Sequence, residues 1–343
     1  MMKGKKSLKW KLIGLNLILS IFCFGQIETQ VNPAIDTKDY KFFEPATSFD
    51  KKRFWGVTGV SGATYLSSMI YLHETWYSQE DREGFHLFDD RGEWLDMDKY
   101  GHAYSAYLES EYIFKVYQWT GASKKKSLLM AGIWSTAFQG TIEVFDGFAT
   151  DWGFSIADIG MNTLGTSFFI TQQALWDEQR MVLKYSNFPV THPNARVPSR
   201  DGTQFDQISR RVDDQYGENI VERMLKDYNG ATMWLSVNPS SFIKNEQSKF
   251  PKWLNFAVGV GGENMYGGRE NAWDFEDVRY SITDPSLERY RQYYLSPDID
   301  FTRIKTDSKF LRTFFVALNA IKMPAPALEI NTRGETIFRP FHF

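Results

Sequence analysis

Residues 143–162 read EVFDGFATDWGFSIADIGMN, and this stretch decides how the first half of the chain folds. It joins two apolar helical segments through a short turn, and a short connection between long helices makes them antiparallel neighbours in a bundle. The stretch also holds four carboxylates among large apolar side chains, at Glu143, Asp146, Asp151 and Asp158. Because buried carboxylates need partners, it also predicts a polar site inside the bundle.

Four segments of the N-terminal half carry the apolar spacing of helices. The first, 54–71, has no charge and scatters small residues among bulky ones, which lets helices pack closely. The other three predicted helices cover roughly 99–119, 126–148 and 154–184. Together these segments predict a bundle of about four antiparallel helices over residues 52–186.

The composition changes after this helical part. Residues 187–228 begin as a proline-containing linker and continue as one amphipathic surface helix, predicted at 204–227. Residues 229–343 contain several strand-like runs; 298–304 alternates strictly, and the last two runs predict a hairpin. The predicted fold class is therefore α+β, a helical N-terminal bundle followed by a β-rich antiparallel C-terminal region.

The N-terminus carries the pattern of an export signal. Residues 1–25 place five lysines before an uncharged apolar run, which is shorter than the roughly 20 residues of a membrane span and ends at the small Gly25. We predict a signal peptide over residues 1–25 that is cleaved near Gly25. Cys23, the only cysteine, follows the bulky Phe22, which disfavours lipid attachment there. The predicted localisation is exported and periplasmic, with association with the outer membrane.

The charge balance and the aromatic content limit the kinds of partner that the chain is expected to bind. The chain has 39 Lys and Arg against 42 Asp and Glu, and the predicted signal removes five lysines, so the exported chain is acidic and nucleic acid is not an expected partner. An aromatic fraction of 16% favours contact with the envelope membrane or with an outer-membrane protein partner. The terminal Phe343 and the alternating strands leave open that C-terminal strands insert in a membrane. The sequence does not indicate an oligomeric state.

Polar residues form a stripe on each of three predicted helices. On the first of these helices the stripe is Asp98, His102, Ser105 and Glu109, at the spacing of one helical face. Each stripe fits the wetted side of an amphipathic helix, but such sides usually carry many Lys and Glu, whereas these carry single carboxylates beside His, Asn and Gln. We therefore predict that the stripes converge, with Asp151 as a turn or cap residue outside the network. The predicted polar network comprises Asp98, Lys99, His102, Glu143, Asp146, Asp158 and Asn162.

These residues resemble a known family. The pairs Asp98-Lys99 and Asp146-Gly147, the residues His102, Glu143, Asp158, Asn162 and Gly165, and the run DWGFS resemble the YfiM-like family of predicted periplasmic lipoproteins, domain of unknown function 2279. The later segments LKDYNGATMWLSVN and FPKWLNFAVGVGGENMYGG look like its long Bacteroidetes-type version. More distantly, the skeleton is similar to the VanZ-like membrane family. The resemblance implies an envelope protein and names no reaction.

Two functions fit the predicted network. The first is a structural or interaction role in the cell envelope, with the bundle locked by a buried His/carboxylate network. The second is a metal-dependent hydrolase or transferase acting on an envelope lipid or glycan headgroup, with His102, Glu143 and Asp158 as catalytic candidates and, with Asp146, as metal ligands. We favour the first and expect no cofactor, so enzyme activity is uncertain. A divalent metal stays open, and one His among carboxylates suits Mg, Mn or Ca better than Zn.

Overall fold

The computed structural model describes residues 44–74, 83–150, 152–243, 245 and 248–343. The predicted signal peptide over 1–25, with Cys23, and the predicted turn residue Asp151 lie outside the described residues. The chain divides into two compact units. The helical unit consists of Met1–Asp90, described from residue 44, with His102–Arg180 and Phe301–Ala320, and the sheet unit consists of Arg91–Gly101, Met181–Asp300 and Ile321–Phe343.

Helices fill the N-terminal half of the described chain and an antiparallel sheet fills the C-terminal half, which confirms the predicted α+β class. In chain order, the elements are α1 (Lys51–Leu72), α2 (Met97–Trp119), α3 (Lys124–Asp146), α4 (Ile156–Trp176), β1 (Met181–Asn187), β2 (Arg196–Pro198), β3 (Phe205–Gln207), α5 (Ile208–Tyr216), α6 (Ile220–Lys226), β4 (Ala231–Val237), β5 (Leu254–Glu263), β6 (Ala272–Phe275), β7 (Val278–Ser281), β8 (Tyr290–Ile299), α7 (Lys309–Leu318), β9 (Ala325–Asn331) and β10 (Thr336–His342).

Close packing in the helical unit follows from small residues and side-chain caps. A Cβ on Gly165 of α4 would lie 2.0 Å from the carbonyl oxygen of Ala103 on α2, so only glycine allows the two backbones this approach. On α3 the buried row recurs every fourth residue, which places one face of the helix inside the unit. That row consists of Ser127, Ala131, Ser135, Gln139 and Glu143.

The sheet unit contains one six-stranded sheet and two short two-stranded ones. The strand order is β1-β4-β5-β8-β9-β10, and every named pair is antiparallel. The strands β2 and β3 pair with each other, as do β6 and β7. A separate aromatic-rich cluster lies around the short strands and α5, formed by Val197, Ile208, Val212, Tyr216, Tyr266, Trp273 and Tyr280. Within the described residues, none of the helices combines the length and the apolar character that crossing a membrane requires.

Two predicted elements are wrong at their ends, and a predicted hairpin is confirmed. The helix predicted at 154–184 stops at Trp176, because Asp177 takes a left-handed conformation, with φ of 58°, and β1 then begins at Met181. The strand predicted at 298–304 stops at Ile299 and continues as a 3₁₀ turn at Phe301–Arg303. The last two strands form the predicted hairpin, with Thr336 paired to Ile330.

The single helix predicted at 204–227 is also wrong. Its first residues form β3, and the rest divides into α5 and α6. The break falls at Gly217, whose φ of 94° no other residue adopts without strain, and a Cβ there would meet Glu222 at 2.1 Å. The predicted domain boundaries and the arrangement of the helices as a four-helix bundle remain predictions.

Candidate functional site

His102 lies at the centre of the candidate site, on α2 and with part of its side chain accessible. Its Nδ1 lies 3.1 Å from Oδ1 of Asn162, so an Nδ1–H donates a hydrogen bond to that oxygen. The same nitrogen is 3.7 Å from Oε1 of Glu143, and Nε2 is 3.7 Å from Oδ1 of Asp158. Residues of α3 and α4 therefore face both nitrogens of one imidazole.

Glu143 is the most buried member of the site, with 1% of its surface exposed at the end of the buried row of α3. The backbone N–H of Ser155 donates to Oε2 over 3.4 Å, whereas Oε1 has no hydrogen-bond partner among the described residues. Burial raises the pKa of Glu143 to about 8; His102 lowers it, and the neighbouring Asp158 and Asp146 raise it further. The carboxyl group therefore holds its proton near neutral pH.

The first turns of α4 supply two more members. Ser155 is the N-cap of α4, and its Oγ accepts from the backbone N–H of Asp158 over 3.1 Å. Asn162 lies one turn after Asp158, so the side chains of Asp158 and Asn162 both face His102. The close packing at Gly165 brings α4 against α2 one turn further on, which explains why a glycine stands at this position.

The other predicted members lie nearby but make different contacts. Asp98 stands one turn before His102 on α2, and its carboxylate accepts from the hydroxyl of Tyr228 over 3.1 Å and from Lys99 Nζ over 3.3 Å. Asp146 lies in the last turn of α3, where its charge raises the pKa of Glu143. The structure thus brings together His102, Glu143, Asp158 and Asn162, with Asp146 beside them.

Ser155 is a site residue that the sequence reasoning missed. Its side chain is buried and its Oγ donates to Oδ1 of Asp90 over 2.7 Å, which ties the start of α4 to the loop before α2. The same residue contacts Glu143 through its N–H and caps α4 at Asp158. The available signal was the sequence Ser155-Ile-Ala-Asp158, which has the spacing of a helix-capping motif.

A second polar layer lies two turns along α2. Nε2 of Gln139 donates to Oε1 of Glu109 over 2.8 Å, and the other carboxyl oxygen, Oε2, is buried with no hydrogen-bond partner among the described residues. Burial raises the pKa of Glu109 to about 8, and hydrogen bonds from Gln139 and Ser135 lower it less strongly. Ser135 also bonds Thr166 of α4, at 3.0 Å. Polar contacts between the three helices therefore continue beyond His102.

The donor set could hold a divalent cation. One ligand atom of His102 and one of Asp158, both in the helical unit, lie within 4.8 Å of each other. Because Asn162 takes the Nδ1–H, the neutral His102 presents the lone pair of Nε2 on the side of Asp158, the orientation that a metal-binding imidazole needs. Chemically, the arrangement can store a proton or bind a cation.

One of the comparisons with known proteins finds a family. Residues 82–173 match the model of a family described as a predicted periplasmic lipoprotein, DUF2279. The matched segment includes His102, Glu143, Asp158 and Asn162, although it covers less than half of the chain. The match confirms the predicted resemblance at the level of this family and supports an exported, periplasmic envelope protein of unknown function. Neither a curated protein nor a solved structure matches the chain.

Proposed function

We propose that this chain is a cell-envelope protein with a structural or interaction role, in which His102 and its partners hold α2, α3 and α4 together. The observation that carries the proposal is the position of one imidazole between a buried carboxyl group of α3 and two side chains of α4. Buried polar networks that join several helices are a recognised means of fixing one packing arrangement, and here the network joins three. In this proposal the helices pack as a bundle around it.

The proposal extends to location and relatives. We propose that the protein is associated with the outer membrane, through the envelope membrane or an outer-membrane protein partner. The match to a predicted periplasmic lipoprotein family supports the compartment. The motif residues support the finer relation to the YfiM-like proteins in their long version and, more distantly, to the VanZ-like family.

The structural role is tested by removing the imidazole. His102→Ala should lower the free energy of unfolding by about 3 kcal/mol, since the buried carboxyl groups of Glu143 and Asp158 lose the group that lies between them. The matched control is His73→Ala, at the exposed end of α1, which should change stability by less than about 1 kcal/mol. Chemical denaturation followed by circular dichroism measures both. Equal, small losses in the two variants would argue against a structural network.

A second candidate function is a metal-dependent hydrolase or transferase acting on an envelope lipid or glycan headgroup. The observation that favours it is the closeness of the ligand atoms of His102 and Asp158, with Asp98 on the same helix. A cation held there would polarise a phosphoryl or carbonyl oxygen of the substrate, and Glu143 would be the carboxyl group that exchanges a proton with the substrate.

Metal content separates the two candidates. Elemental analysis and the melting temperature, each measured with and without EDTA, are compared for the wild type and for Asp158→Asn. A structural network predicts no stoichiometric metal and no EDTA effect. A metal centre predicts stoichiometric Mg, Mn or Ca in the wild type, a lower melting temperature after EDTA, and loss of metal in Asp158→Asn without loss of fold. Stoichiometric metal in both proteins would place the cation away from Asp158.

A further inference from the structure

The six-stranded sheet has the polarity of its two faces inverted. In a sheet with one face toward water, apolar side chains cover the core face and polar ones the solvent face. Here the enclosed face carries charged and polar side chains, among them Lys184, Asp298 and Glu329, which are 0–3% exposed. The alternate positions on the same strands carry apolar side chains that are about half exposed, such as Leu295 at 53% and Val258 at 52%.

The exposed side chains form continuous rows across neighbouring strands. Val258 of β5 is paired with Leu295 of β8, Leu295 with Leu328 of β9, and Leu328 with Phe338 of β10. The next row pairs Tyr293 with Ile330. We call this surface the outer apolar face; it consists of Val258, Tyr293, Leu295, Leu328, Ile330 and Phe338, each at least 40% exposed.

The charged groups of the polar face find partners inside the sheet unit, although Oδ1 of Asp298 is buried with no hydrogen-bond partner among the described residues. Lys184 Nζ lies 2.8 Å from Oδ2 of Asp298, and the hydroxyl of Ser236 donates to the same oxygen over 2.6 Å. The sheet curls enough that His342 of β10 comes within 3.2 Å of Thr232 on β4, although three strands lie between β4 and β10 in the sheet order. The charged groups are therefore turned away from the medium that meets the outer apolar face.

We propose that the outer apolar face contacts the acyl chains of a phospholipid bilayer. Its six residues include no charge, and the Tyr293 hydroxyl is their only polar side-chain group. A protein partner would normally supply about one hydrogen bond per 100–200 Å² and meet a polar rim, whereas hydrocarbon supplies no hydrogen bonds. Burial of half-exposed aliphatic and aromatic side chains in hydrocarbon is favourable in proportion to the area removed from water.

The height of the apolar surface fits one leaflet. A third uncharged row, which pairs Phe256 with Pro297, lies two residues from the row of Leu295 on the side opposite Tyr293. Three rows two residues apart span roughly 14 Å along the strands, close to half of the roughly 30 Å hydrocarbon core. The lipid contact rests on the proposed envelope location but not on the His102 network, so each can fail without the other.

Vesicle flotation tests the lipid contact with the full chain. The probe is a vesicle of phosphatidylethanolamine and phosphatidylglycerol, and the test variant is Val258→Glu/Leu295→Glu. The variant should lower the vesicle-bound fraction about tenfold, because a carboxylate is strongly disfavoured in hydrocarbon. The matched control, Leu129→Glu/Leu164→Glu, changes two similarly exposed residues of the helical unit and should float like the wild type. A wild type that stays unbound, or a loss confined to the control, overturns the proposal.

A labelled chain keeps the test valid if the glutamates unfold the sheet. In a Cys23→Ser background, Leu295→Cys and Thr283→Cys each carry one environment-sensitive fluorophore; Thr283 is an exposed residue of the same unit. Brominated acyl chains should quench the label at 295 several-fold more than the label at 283. Equal quenching overturns the proposal. A second result also overturns it: the wild type is a dimer by light scattering and does not bind vesicles, whereas Val258→Glu/Leu295→Glu is a monomer. A second copy of the chain would then cover the outer apolar face.

Discussion

The helical unit and the sheet unit both bury ionisable side chains, but they pair these side chains with different kinds of group. In the sheet unit the buried acids meet cations: Asp298 faces Lys184, and Glu329 accepts from the guanidinium of Arg339. In the helical unit Glu143 meets an imidazole and a backbone N–H, and Glu109 meets an amide. Burial is similar in the two units, and the partner differs.

The partner decides the direction in which the pKa moves. Burial alone raises the pKa of Glu329, but hydrogen bonds from Arg339, Asn331 and Gln292 bring it below its usual range. Burial raises the pKa of Glu143 and Glu109 to about 8, because no permanent cation offsets it. Glu329 is thus a fixed charge that serves stability, whereas Glu143 and Glu109 hold protons and are the better candidates for function.

The largest effect is expected from breaking the buried pair of the sheet. Lys184→Met should lower the free energy of unfolding by about 4 kcal/mol, because Asp298 loses its cation in a site where neither side chain is exposed. The double variant Lys184→Met/Asp298→Leu should recover most of the loss, which denaturant titration measures. The surface control Arg279→Met, at an exposed pair with Asp274, should cost less than about 1 kcal/mol. A loss in the double variant as large as in Lys184→Met would show that the charge is not the cause.

A glycine pair on α4 tests how closely the helices of the site must pack. Gly165→Ala places a Cβ against the backbone oxygen of Ala103 and should cost about 3 kcal/mol, since neither backbone can move easily. Gly160→Ala, on the same helix with no atom within 4 Å of the new Cβ, should stabilise by about 0.5–1 kcal/mol. Thermal melts of the two variants give the comparison, and a harmless Gly165→Ala would contradict the close contact.

Local spacing was sufficient to predict much of the fold. The helical repeat predicts α2, α3 and the start of α4, and the alternation predicts the hairpin of β9 and β10. The end of α4 could not be predicted, because β1 is held by pairing with β4, about fifty residues later, and Asp177 gives no sign of its left-handed conformation. The end of β8 was missed for a related reason: the N–H of Phe301 bonds the side chain of Asn319, far along the chain.

The candidate site was predictable where one helical face determines it. Spacing of three and four residues selects His102 on α2, and Asp158 with Asn162 on α4, and these do face one another. Spacing could not show that Asp98 bonds Tyr228, a residue 130 positions away. It also could not show that Ser135 belongs to the buried row of α3, which runs in steps of four to Glu143.

A pH titration sharpens the contrast between the acids of the two units. The folded-state pKa of Glu143 is raised from 4.5 to about 8, so its stabilising contribution is complete below pH 4.5 and is lost as pH rises through about 8. The full shift corresponds to about 5 kcal/mol, and solvent screening at the partly accessible site reduces the loss expected for the wild type over that window to on the order of 2 kcal/mol. Glu143→Gln should make the slope shallower, while Glu109 keeps part of it. The control Glu178→Gln changes a carboxylate that pairs with Arg303 and should keep the pH slope of the wild type. Infrared spectroscopy should show protonated carboxyl groups at neutral pH, and Glu143→Gln should remove part of that band while Glu109 keeps the rest; an unchanged slope and spectrum would refute the raised pKa of Glu143.

The smallest expected loss of stability comes from two serine caps, and it tests whether Ser155 is a site residue as well as a helix cap. Ser123 of α3 and Ser155 of α4 are both N-caps, accepting from Lys126 and Asp158 over 3.3 and 3.1 Å, so the loss of either cap alone costs about 1 kcal/mol. Ser155 also donates to Asp90, and in Ser155→Ala that carboxylate loses a hydrogen bond, which adds about 1 kcal/mol. Denaturant titration should therefore give a lower free energy of unfolding for Ser155→Ala than for Ser123→Ala. Because the Ser155 variant alone changes the N-terminus of α4 beside Glu143, it alone should also alter the pH slope; equal losses and equal slopes would reduce Ser155 to an ordinary cap.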